Sequence, residues 1–137
     1  MGTALFWLCL TNTALLILHE IDAAYWQEWR LFRRIAEWRL FRFLDEMEVR
    51  NGLSLFLALH LPLLVLLLAG LVRVAQGRGL IYSLLLSVFL IFHAIAHFQL
   101  SRKGGAEFDV PISQLILTAT FFVSIAQLFF TAKSLLG

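Results

Sequence analysis

At 137 residues the chain has room for one domain, and at 61% hydrophobic, 15% charged and a mean hydropathy of +0.85 it excludes a water-soluble one. A soluble domain carries about 25% charged residues to cover its core, so the outer surface here must face lipid. The net charge of +2 does not point to nucleic acid, because the basic residues sit between apolar runs, beside anionic headgroups.

The apolar runs, taken in chain order, predict an all-α membrane protein. It is a four-transmembrane-helix bundle with an interfacial amphipathic segment between helices 1 and 2. Each run is near the ~20 residues that a helix needs to cross about 30 Å of hydrocarbon. Lipid offers no partner to an unpaired amide, so each run must be helical. The first run spans about 3–25 and is uncharged until Glu20. Met1-Gly2-Thr3 lacks the basic start of a signal peptide, so this run reads as a retained helix. The lone Cys9 cannot form an internal disulfide and reads as a small apolar filler.

Residues 26–52 form the long first loop, in which Glu28-Trp29-Arg30-Leu31-Phe32-Arg33 recurs as Glu37-Trp38-Arg39-Leu40-Phe41-Arg42. A nine-residue offset turns a straight helix through about two and a half turns, so the copies face opposite ways unless the segment breaks between them. Trp26, Trp29, Arg30, Trp38 and Arg39 suit the headgroup zone, where indole rings anchor and guanidinium groups meet phosphate.

The second run spans about 53–73 behind Asn51-Gly52 and holds Pro62, which should kink it beside His60. Gly77-Arg78-Gly79 separates it from the third run, about 79–101, and Gly104-Gly105 follows that. The fourth run spans about 110–132, with Asp109 as an expected cap and Pro111 in its first turn. Four crossings put both termini on one side. Arg30, Arg33, Arg34, Arg39, Arg42, Arg50, Arg102 and Lys103 lie on the other, against Arg73, Arg78 and Lys133 with the termini. The positive-inside rule then predicts a multi-pass protein of the cell (inner) membrane, with cytoplasmic long loops and external termini.

The histidines carry the functional argument. His19, His60 and His93 each lie about seven residues from the long-loop end of their helix, roughly 10 Å deep, with His97 one turn nearer the surface. His93 and His97 are i, i+4 and share a face, as do His19 and Asp22 at i, i+3. Imidazoles and a carboxylate turned to one point suit zinc, or iron with open positions. Asp22 serves there as a ligand or as the partner that orients a ligand histidine. Glu20 points about 100° away from His19 and reads instead as a proton carrier or an arginine partner. On the fourth helix, Gln114 and Thr118 at matching depths read as interhelical hydrogen bonders.

The run Leu18-His19-Glu20-Ile21-Asp22-Ala23, followed by Glu28-Trp29, resembles the first-helix signature of small bacterial four-helix integral membrane proteins of uncharacterised function, marked by a His-Glu-x-Asp motif. It is distantly similar to the HXXEE family, whose motif implies a metal-binding membrane enzyme. His19-Glu20-Ile21-Asp22-Ala23 departs from that motif in lacking paired acids. Membrane fatty-acid hydroxylases also use histidine clusters, but with several HxxxH boxes where this chain has one.

The sequence thus favours a metal-dependent enzyme acting on a lipid or other apolar substrate. His19, His60, His93 and His97 would bind the metal, and Asp22 and Glu20 would handle protons. A b-type haem protein, a carrier of protons or metal ions, and a non-catalytic membrane subunit are the alternatives. The bilayer is the expected partner, with a homodimer plausible for so small a bundle.

Overall fold

The computed structural model describes residues 2–25, 42–102 and 110–137. It is all-helical over these residues: α1 (Thr3–Tyr25), α2 (Arg42–Ala75), α3 (Leu80–Arg102) and α4 (Pro111–Leu136). Each holds a stretch long and apolar enough to cross a membrane. The duplicated Trp-Arg-Leu-Phe motif, with Trp26, Trp29, Arg30, Trp38 and Arg39, lies outside the described residues, as does Gly104-Gly105.

Two boundaries differ from expectation. The second helix begins at Arg42 and continues through Asn51-Gly52 and Pro62. One glycine costs a helix about 1 kcal/mol, too little to end one of this length. The N-cap of α4 is Val110, in an extended conformation with no side-chain cap, rather than Asp109. Pro111 follows in the first turn, where its missing N–H is no loss.

The α2–α3 connection is a Schellman turn. Arg78 N–H reaches Arg73 O (2.9 Å) and Gly77 N–H reaches Val74 O (3.0 Å). Gly77 takes the left-handed φ of 77° that this turn demands. The return of α3 brings the Tyr82 ring over Gly70, where a Cβ would fall 2.0 Å from it. The Tyr82 hydroxyl then donates to Leu67 O (3.0 Å).

α3 and α4 share the broadest contact, α1 packs on both α4 and α2, and α1–α3 and α2–α3 meet over less. The apolar core is thin. One cluster joins Leu16, Leu67, Leu86 and Leu90, and another joins Leu5, Cys9 and Val74. Trp7, Leu66, Ile81, Phe92, Phe122 and Phe129 point outward. Lipid tails are as apolar as leucine, so burying more leucine would not hold such helices together; close packing and interhelical hydrogen bonds must.

Candidate metal centre

The buried residues of α1 recur every three or four positions: Leu5, Cys9, Asn12, Thr13, Leu16, His19 and Ala23. One stripe therefore faces the bundle axis, and His19 closes it near the helix end. On α3 the i, i+4 pair His93 and His97 stacks along one face, with ring centroids 4.4 Å apart. These two faces meet. The His19 ring stands edge-on to His93 at 5.0 Å and to His97 at 4.7 Å.

One ring nitrogen from each of the three lies within 4.8 Å of the others. Three nitrogens on one tetrahedral zinc stand about 3.3 Å apart, given Zn–N bonds of about 2.0–2.1 Å. Small side-chain rotations close that difference. His19 is 2% and His97 6% exposed, so the centre is largely shielded from the surroundings. His19 Nδ1 and His93 Nε2 are buried with no hydrogen-bond partner among the described residues. Leaving such groups unpaired costs about 1–3 kcal/mol each, a cost that a metal ion would remove.

The other two candidate groups go elsewhere. His60 of α2 meets Glu20 of α1, Nε2 to Oε2 at 2.9 Å. Glu20 adjoins His19 in α1, so this pair sits beside the cluster. Asp22 accepts a hydrogen bond from the Ser113 hydroxyl of α4. Four histidines at one depth thus resolve into a cluster of three and a His–Glu pair beside it.

A model of a family of unknown function, DUF6713, matches residues 5–134. The chain belongs to that family. No curated protein and no solved structure matches it. The match to DUF6713 reaches all four helices and takes in the positions of His19, His93 and His97.

This DUF6713 chain also has a buried polar core that its sequence did not announce. Asn12 Nδ2 donates to Gln127 Oε1 (2.7 Å), and Ser124 donates to Asn12 Oδ1 (3.2 Å). Gln127 Nε2 donates to Ser83 O (2.9 Å) and lies 3.1 Å from Ser83 Oγ. Ser83 Oγ and Thr131 Oγ1 are 2.7 Å apart, and the Cys9 thiol donates to Ser83 Oγ at 3.3 Å. Cys9 is therefore a hydrogen-bonding member of the core as well as a filler. On α4, Ser113, Ser124, Gln127 and Thr131 make hydrogen bonds to neighbouring helices; Thr118 is exposed, and Gln114 is half-buried and has an interaction of its own. The available signal was the spacing of Ser113, Thr120, Ser124, Gln127 and Thr131, which repeats by three, four and seven on one face.

Proposed function

We propose that the chain is a metal-dependent membrane enzyme, with His19, His93 and His97 holding one divalent ion of the zinc or iron type. The observation that carries this is the convergence of three imidazoles from two helices, His19 and His97 buried and His93 half-buried, with unpartnered nitrogens on His19 and His93 among the described residues. Three histidine ligands with an open fourth position are the arrangement in which zinc lowers the pKa of bound water to about 7 and supplies a hydroxide nucleophile. Glu20, hydrogen-bonded to His60 beside the cluster, is placed to take the proton. Asp22 steadies the end of α1 against α4 through Ser113. The resemblance of the His19-Glu20-x-Asp22 motif to small bacterial four-helix membrane proteins, and distantly to the HXXEE family, agrees with this reading.

The close approach of the rings favours a simple ion over haem. A porphyrin lies between its axial ligands, and rings with centroids 4.4–5.0 Å apart leave no room for one. A carrier of protons or metal ions is the second reading. The polar side chains that continue along the axis from the histidines to Thr131 favour it. In either reading the protein sits in the cell membrane with its long loops cytoplasmic, the side on which its arginines concentrate.

Metal analysis of the protein purified in mild detergent, without chelator or affinity nickel, tests the proposal. Near-stoichiometric zinc or iron is expected in the wild type, and its loss in His19→Ala and His93→Ala. Metal-free wild type, or variants that keep the metal, would refute it. Metal-driven flux in liposomes without turnover would select the carrier.

A further inference from the structure

Beside the His60–Glu20 pair, α1 and α2 part to leave a cleft of about 480 Å³. Its walls are Ile17, Ile21 and Ala24 on one side and Ala58, Leu61 and Leu64 on the other, with Glu20 and His60 between them. The size falls within the roughly 300–1,000 Å³ of small-molecule sites. Ile21 and Leu61, at 63% and 64% exposed, stand at its edge and face outward from the bundle. Both helices are membrane spans by length and composition, so the cleft opens sideways into lipid.

We infer that this cleft binds the chain of an uncharged lipid bearing a hydroxyl or amide N–H, which it presents to Glu20. The inference rests on the metal-enzyme reading of the same end of the bundle and gives that reading its substrate class.

Charge selects the occupant. Glu20 is the acid among the described residues that line the cleft, which include His60 but neither lysine nor arginine. A phosphate or a free carboxylate would therefore meet the like charge of Glu20 directly, whereas an uncharged donor would not. A carboxylate has about four lone-pair sites, so Glu20 can hold His60 and still accept from a hydroxyl or amide. The buried hydrogen bond to the lipid orients its polar group, and the aliphatic walls take the chain. Glu20 directly follows the cluster's His19 in α1, so the polar group of the occupant would lie near the metal centre.

The test uses the full chain in phospholipid nanodiscs with two diazirine probes of equal length, a long-chain alcohol and the corresponding fatty acid. The alcohol is expected to label Ile21, Leu61 and Leu64 about tenfold more than the lipid-facing Leu85 and Phe129, equivalent to about 1.4 kcal/mol of preference. Ala24→Trp, which fills the cleft, should abolish that excess while metal content stays at the wild-type level. Should that variant fail to fold, competition by unlabelled alcohol on the wild type gives the same readout. The fatty acid should label weakly in the wild type and strongly in Glu20→Gln. Labelling spread evenly over the lipid-facing surface would overturn the proposal, as would equal labelling by acid and alcohol. Cleft labelling in a protein that carries no metal would sustain this site and defeat the metal reading alone.

Discussion

Gln127 offers the sharpest test of what holds the bundle together. It is fully buried and makes three contacts with neighbouring helices: it accepts from Asn12 at 2.7 Å and approaches Ser83 O and Oγ at 2.9 and 3.1 Å. Gln127→Leu keeps the volume and removes all three. At about 0.6 kcal/mol per interhelical bond in lipid, that is about 2 kcal/mol. The Asn12 amide, left buried without its acceptor, adds about 1–3 kcal/mol. A destabilisation of about 3–5 kcal/mol is expected on these two terms, read by steric trapping or SDS titration in bicelles. Asn12→Leu combined with Gln127→Leu removes donor and acceptor together, so the double variant should be about 1–2 kcal/mol more stable than the sum of the singles predicts. Metal content should not change, because Gln127 lies 14 residues, roughly 20 Å, along α4 from the Ser113 end. A loss below about 0.5 kcal/mol, or strict additivity, would show that the network contributes no coupling and that packing alone joins these helices.

Two further outcomes follow from the geometry. A proton and a metal ion compete for the same imidazole lone pair, so the three-histidine centre should release its metal as pH falls and regain it as pH rises, followed with a chromogenic chelator; retention of metal through acid titration would exclude histidine ligation. Gly70→Ala should lower the melting temperature by more than Tyr82→Phe, because a Cβ there falls 2.0 Å from the Tyr82 ring whereas the phenylalanine loses one bond, to Leu67 O, worth about 0.6 kcal/mol; equal shifts would mean that α2 and α3 do not depend on this close approach.

The four helices were legible because lipid imposes a length and a composition that few other structures satisfy. His93 and His97 were legible as a pair because i, i+4 fixes a shared face. Depth counting placed His19 and His60 at their level, but depth says nothing about direction around the bundle axis. Glu20, about 100° from His19 on α1, faces α2 and engages His60 there. The polar core was harder to read. Ser124, Gln127 and Thr131 are scattered among phenylalanines and isoleucines in a run that looks uniformly apolar. In water the apolar stripe of a helix marks the core. In lipid the polar stripe does, and on α4 it is only five residues wide over five turns.

The division of labour among the helices bears on how a lipid could reach the centre. The polar network ties α1, α3 and α4 together through Asn12, Ser83, Ser124, Gln127 and Thr131, and among the described residues α2 contributes no side chain to it. Two of these three helices, α1 and α3, carry all three clustered histidines. Among the described residues, the contacts of α2 are of a different kind: apolar packing around Leu67 and Val74, the Tyr82 bond to a backbone carbonyl, and the His60–Glu20 pair. In a bilayer this packing gains nothing from leaving water, so parting it costs the close fit of the side chains but strands no buried polar group. A sideways shift of α2 would therefore widen the α1–α2 cleft without disturbing the geometry of His19, His93 and His97. It would also part His60 from Glu20, freeing the carboxylate at the moment the cleft admits a chain. The helix that carries the fourth histidine is thus, among the described residues, the one that the polar network leaves out.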